Sequence, residues 1–267
     1  MPFEKVGDIN IYYEIAGSGP RLVHINGTGG DLRKKPNVFD SPLAQHFEIL
    51  AFDQRGLGQT GKPDIPYTMA DYAADVDGLM EALEWEDCPI MGVSFGGMVG
   101  PELALGYSNR VKSLILCCTS TGGAGGPSYP LHELESLSPD ESRRKMVAIT
   151  DTRRGQAWQD SNPDELDDIL KLGEAQSAVG GGEHNKEIGA HRQIMARKSH
   201  DVYDRLPSIG VPVLLCAGKY DGIAPPDNQK SLESQLPNAT LDYFEGGHGF
   251  LAQDPKAYKH IIEFLKA

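Results

Sequence analysis

The sequence predicts an α/β protein: a mostly parallel, twisted sheet of about eight strands, helices on both faces, and a helical cap inserted between two late strands. Three observations lead there. Short runs at residues 47–52, 88–93, 111–118 and 211–217 are apolar nearly throughout instead of at every second position, the pattern of strands covered on both faces. Segments with a three-to-four-residue apolar period alternate with such runs, which is the order of βαβ units. The alternation stops after residue 118, and residues 121–206 carry helix-like segments without a strand signal. The chain of 267 residues therefore reads as one domain with an insertion: a core of residues 1–120 and 207–267, and a cap of residues 121–206.

Taken in order, residues 9–15 are β-branched and aromatic and end at the turn Gly17-Ser18-Gly19-Pro20, so they read as an opening strand pair. Residues 21–25 form the next apolar run and lead into Asn26-Gly27-Thr28-Gly29-Gly30-Asp31, a loop whose glycines let backbone approach a ligand closely. After the strand at 47–52 comes a second glycine-containing loop, in which Asp53 and Arg55 read as a structural pair. In residues 68–84 the apolar Met69, Tyr72, Ala73, Val76, Leu79, Met80 and Leu83 recur at helical period, with Thr68 and Asp71 placed as a capping box. The run at 88–93 ends in Gly92-Val93-Ser94-Phe95-Gly96 and a helical pattern: strand, sharp turn, helix. Strands follow at 111–118, 211–217 and 239–244, and a final helix at 255–265.

Composition narrows the function. A content of 39% hydrophobic and 24% charged residues is that of a soluble globular protein with enough apolar side chains for a core. The net charge is −13 and no Lys/Arg stripe forms, which argues against nucleic acid or an anionic membrane as partner. The N-terminus lacks the apolar core of a signal peptide and no stretch is long enough to span a membrane, so a cytoplasmic location is expected. Cys88, Cys117, Cys118 and Cys216 show no C-x-x-C spacing, which leaves buried free thiols in place of a zinc site or redox motif.

The turn around Ser94 points to nucleophilic chemistry, because flanking glycines permit a strained backbone that lifts the hydroxyl clear of the sheet at a helix N-terminus. A serine hydroxyl needs a base, and the base needs an orienting acid. Asp221 follows the strand at 211–217, and His248 lies in the glycine-flanked loop Gly246-Gly247-His248-Gly249 after the strand at 239–244. Each of the three follows a predicted strand, where open α/β sheets place their sites.

With that chain order, Ser94 then Asp221 then His248, the protein resembles the α/β-hydrolase fold superfamily over nearly its full length. The loops Asn26-Gly27-Thr28-Gly29-Gly30, Asp53 to Gly58, Gly92 to Gly97, Gly218-Lys219-Tyr220-Asp221 and Gly246-Gly247-His248 carry the resemblance. The first of these, with residues 190–201, is similar to 3-oxoadipate enol-lactonases. The resemblance implies a serine hydrolase acting on a small ester or lactone, without metal or organic cofactor, whose oxyanion hole would use the backbone N–H groups of Thr28 and Phe95. Carbon–carbon bond hydrolysis or peracid formation on the same triad is an alternative, and a catalytically slow small-molecule receptor of the same fold is another. In the cap, Ile188, His191, Met195 and Lys198 share one helical face by spacing, and that face is expected either to pack on the core or to roof the site. In the second case His191 and Met195 line it, with Arg192, Arg197 or Lys198 attracting a substrate carboxylate.

Overall fold

In the computed structural model, which describes residues 2–267, the β-branched runs assemble into one eight-stranded sheet. Its strands are β1 (Phe3–Val6), β2 (Ile9–Gly17), β3 (Arg21–Ile25), β4 (Glu48–Phe52), β5 (Cys88–Val93), β6 (Val111–Cys117), β7 (Val213–Gly218) and β8 (Ala239–Phe244). The spatial order is β1-β2-β4-β3-β5-β6-β7-β8; β1 and β2 are antiparallel to their neighbours and the rest run parallel.

The apolar strands have a simple cause: alternate residues feed two different cores. Val23, Ile25, Leu50, Ile90, Leu114 and Leu215 enter one, with α1 (Met69–Ala82) and α2 (Phe95–Gly106) over it. Leu22, Ile49, Met91, Ile115 and Leu214 enter the other, beneath α8 (Phe250–Gln253) and α9 (Pro255–Lys266). The remaining core helix is α7 (Pro226–Gln235). Helix α1 begins where its capping box predicts, since Thr68 accepts from the Asp71 amide and Asp71 from the Thr68 amide.

One expected contact is replaced. Arg55 does not pair with Asp53; it forks onto the buried carboxylate of Asp75 on α1, with both nitrogen–oxygen distances 2.6 Å. Asp53 accepts instead from the amides of Leu32 (2.7 Å) and Gln59 (2.8 Å), which ties the loops after β3 and β4 together. Two residues apart on a bending loop, the two side chains leave in different directions.

Between β6 and β7 lie α3 (Pro139–Thr150), α4 (Gln156–Ser161), α5 (Pro163–Ala178) and α6 (Lys186–Lys198), with no strand among them. Arg33 reaches from the core to Glu183 in the α5–α6 connection, and Gln176 Nε2 donates to the Lys35 carbonyl at 2.9 Å. Among the described residues no helix is long and apolar enough to cross a membrane. All four cysteines are free and buried.

Strand order decides where a ligand can sit. From β3 the chain moves to β4 on one side and then crosses to β5 on the other, so the loops leaving β3 and β5 diverge and open a crevice at the carboxyl end of the sheet.

Candidate active site

Ser94 sits between β5 and α2 at φ 53°, ψ −109°, a conformation that costs an L-residue energy and persists only where the surroundings impose it. Here they do. The Ser94 amide donates to the Cys117 carbonyl at 2.8 Å, and the Ser94 carbonyl accepts from Thr119 Oγ1 at 2.8 Å and the Met98 amide at 3.2 Å. A Cβ at Gly92 would overlap the Gly96 carbonyl, and one at Gly96 would overlap the Ile25 carbonyl, so both flanks of the turn require glycine.

His248 Nε2 lies 2.9 Å from Ser94 Oγ, and its Nδ1 lies 2.8 Å from Asp221 Oδ2. The other Asp221 oxygen accepts from the amides of Ile223 (2.8 Å) and Ala224 (2.9 Å), which fixes the carboxylate as an acceptor. With Nδ1–H held by that carboxylate, Nε2 presents its lone pair to the serine hydroxyl, the geometry in which an imidazole takes a proton from a nucleophile. The Cys118 thiol lies in the same cluster, and burial pushes its pKa well above the ordinary range, so it stays protonated.

The segment between β6 and β7 helps to hold this arrangement. The last turn of α3 fits between the loops bearing Asp221 and His248: the Ile149 carbonyl accepts from the Gly222 amide (2.9 Å), and the Thr150 carbonyl from the His248 amide (2.6 Å). Next in sequence, buried Asp151 is gripped by Arg153, which holds its carboxyl below the usual range. Gln253 lies 3.5 Å from Asp151 and accepts from the Gly247 amide at 2.8 Å. Nothing in the local sequence marked Thr150, Asp151 or Gln253, because the contacts of Thr150 with His248 and of Asp151 with Gln253 join residues far apart in the chain.

On the opposite side of Ser94 lies the loop after β3. Gly27 packs against the serine side chain, and Gln54 Nε2 donates to the Asn26 carbonyl at 2.8 Å. Thr28 follows, while Phe95 opens the first turn of α2, where helical N–H groups lack intrahelical partners. The Phe95 ring is fully buried, edge-on to Tyr72 at 4.8 Å.

Helix α6 approaches this loop with a different face from the expected one. Its buried residues are Gly189, Gln193, Ala196 and Arg197, whereas His191, Met195 and Lys198 are exposed. His191 Nδ1 lies 3.2 Å from Glu135, and Arg192 Nη2 donates to Asp64 at 2.8 Å, both outward. Close packing sets the rotation: Gly189 lies so tightly on Gly56 that a Cβ would overlap the Gly56 carbonyl. Arg197 is the cation that reaches the site, with Nη1 3.4 Å from Thr28 Oγ1 and its Nε and Nη2 buried without a hydrogen-bonding partner among the described residues. Burial lowers its pKa to about 10. Gln193 was missed by the sequence reading: it shares a helical face with Gly189 and Ala196, but spacing alone does not say which face packs inward.

A protein named as a putative carbamate hydrolase from Azorhizobium caulinodans is 26% identical over 98% of this chain and 97% of its own. The 3-oxoadipate enol-lactonase 2 of Acinetobacter baylyi is 24% identical over 96% of this chain and 92% of its own. The crystal structure of an enol-lactonase from Burkholderia xenovorans aligns over 100% of both chains with a TM-score of 0.78 at 23% identity, a likeness of fold. Residues 20–255 match the family model for the alpha/beta hydrolase fold, and with that match over most of its length the chain belongs to the α/β-hydrolase fold family and is a hydrolase.

Proposed function

We propose that the protein is a serine hydrolase that cleaves a small carboxylic ester or lactone bearing a carboxylate, through an acyl-enzyme intermediate. The observation that carries this reading is the hydrogen-bonded series Ser94–His248–Asp221 on a strained turn at a helix N-terminus. Ser94 Oγ attacks the substrate carbonyl as His248 Nε2 takes its proton. Asp221 keeps the imidazole in the required tautomer and stabilises its charged form. The Thr28 and Phe95 amides receive the oxyanion, and loss of one such donor typically costs about 3 kcal/mol. His248 then protonates the leaving oxygen, and water, deprotonated by the same imidazole, releases the acid.

Residues 121–206 act in this reading as the cap of a core made of 1–120 and 207–267. They supply Arg197, a buried guanidinium without a carboxylate partner beside the oxyanion loop. An isolated buried cation is costly, and a substrate carboxylate would offset that cost. Arg197 also lines, with Lys198, a cavity of about 240 Å³ bounded by Met98, Ser120, Tyr129, Ile194 and His200, none of which is a triad residue.

The test is Ser94→Ala with a panel of short esters, enol lactones and vinylogous diketones. Turnover should fall at least about a thousandfold with the fold intact, and a serine-directed organophosphonate should place one label on Ser94 of the wild type. Near-wild-type turnover in the variant, or a label mapped elsewhere, overturns the assignment. Preference for the diketones would replace ester cleavage by carbon–carbon cleavage.

A further inference from the structure

The loop that would bind the oxyanion contains a defined turn. The Gly30 amide donates to the Gly27 carbonyl at 3.1 Å, and Gly29 has φ +69°. Thr28 is absent from the residues with positive φ, so Gly27 to Gly30 form a type II turn, with Thr28 and Gly29 at its two central positions. Type I and type II turns differ by rotation of the central peptide, here the one joining Thr28 to Gly29. Its rotation would redirect the Thr28 carbonyl and the Gly29 N–H, whereas the Thr28 N–H belongs to the preceding peptide and follows the position of the loop as a whole.

That peptide is held by a side chain from the insertion. Gln193, on α6 and fully buried, accepts from the Gly29 amide through Oε1 at 2.8 Å. Its Nε2 is also buried and has no partner among the described residues, so the Gly29 bond is what orients the amide group. One turn along the same helix, Arg197 meets Thr28 Oγ1, and from the loop side Lys34 Nζ donates to the Gly29 carbonyl at 2.8 Å. Gln193 is the acceptor that the central N–H finds, and the contact of Gly189, in the first turn of α6, with Gly56 delivers it there.

We propose that Gln193 is a positioning residue for the oxyanion-binding loop: by pinning the Gly29 amide it fixes the turn against α6, and with it the place of the Thr28 amide that would receive the oxyanion. This rests on the serine-hydrolase reading given above. The insertion therefore completes the oxyanion hole as well as covering it. Because a donor aimed at developing charge acts in the transition state more than in the ground state, losing the alignment lowers kcat and leaves KM nearly unchanged.

The test uses Gln193→Met, which keeps length and volume but removes the acceptor. With an uncharged short ester, kcat should drop about tenfold to a hundredfold at unchanged KM. The inhibition constant of a trifluoromethyl ketone, whose adduct on Ser94 carries the oxyanion, should weaken by a similar factor. A purely structural Gln193 would lower the melting temperature while leaving kcat and ketone affinity of the folded variant at wild-type values, and that result overturns the proposal. If the variant does not fold, amide hydrogen exchange in the wild type decides: a protected Gly29 N–H supports the proposal, and exchange at the rate of a free loop overturns it. The organophosphonate separates the two readings. One label on Ser94 in both proteins with equal rates removes only the role of Gln193, whereas no label and no ketone binding in the wild type removes the serine mechanism and this proposal together.

Discussion

Asp221 uses its two oxygens differently, and the difference makes an amide substitution informative. One oxygen takes two backbone N–H groups and the other takes His248 Nδ1. In Asp221→Asn the amide oxygen must stay on the Ile223 and Ala224 amides, which places the NH₂ against Nδ1 and forces the proton onto Nε2. We expect an intact fold and a kcat lower by orders of magnitude, read from steady-state kinetics and circular dichroism; full activity would mean that another acid serves His248. Arg197 makes a separate prediction. Burial lowers its pKa only to about 10, so at neutral pH the guanidinium is charged and should help to set the KM for a carboxylated lactone. Arg197→Met should raise that KM about tenfold or more at neutral pH, as loss of a charge-assisted contact of roughly 1 to 3 kcal/mol implies. An uncharged ester of equal size should be spared. Equal effects on both substrates would leave Arg197 as a support for Thr28 and point to a neutral substrate.

At the level of elements, two glycines in neighbouring helices should respond oppositely to the same substitution. Gly189 on α6 has no room for a methyl group against Gly56, whereas Gly173 on α5 has nothing near its missing Cβ. Gly189→Ala should therefore cost about 1 to 3 kcal/mol by overpacking and lower kcat as well, because α6 carries Gln193 and Arg197 to the loop at Thr28. Gly173→Ala should add about 0.5 to 1 kcal/mol, the ordinary gain for alanine over glycine in a helix interior. Urea midpoints measure both, and a neutral Gly189→Ala would show that α6 is free to shift. The same contact explains why the face of α6 could not be read from its own spacing. Periodicity says which residues share a face, and the choice between faces was made by a glycine 133 positions earlier in the chain.

For the whole molecule, the buried histidines set a pH window. His24 lies on β3 in register with Ala51 and Met91, and His200 follows α6 with Nε2 3.1 Å from the Ser120 carbonyl. Burial lowers both to about 4 from the ordinary 6.5. A lowered histidine pKa means that the folded state prefers the neutral ring. Its contribution is present above pH 6.5 and lost as pH falls through 4, roughly 3 kcal/mol for each. Asp53 works in the opposite sense: burial raises it to about 6, so its contribution is present below pH 3.8 and lost as pH rises through 6. Stability from urea titrations should fall between pH 6.5 and 4 by less than the two histidines alone would give. Both His24→Gln and His200→Gln should flatten that fall, and an unchanged slope in both would mean that the rings are hydrated in the native state.

Much of the molecule was written locally. The apolar runs of the central strands, the capping box at Thr68 and the glycines around Ser94 are consequences of near neighbours, and the order Ser94, Asp221, His248 along the chain needed only the knowledge that each follows a strand. Residue type and spacing were enough for these, because strand burial, helix capping and tight turns depend on a few adjacent side chains. Tertiary structure alone decided what those residues meet. It gave Arg55 to Asp75 and Asp53 to the Leu32 amide, fitted Ile149 and Thr150 between the loops of the acid and the histidine, and turned α6 so that Gln193 and Arg197 face Thr28 while His191 and Arg192 face outward. The physical reason is common to all of these: each is a contact between elements, settled by close backbone approach and by which buried donor finds which acceptor, and no window of sequence contains both partners.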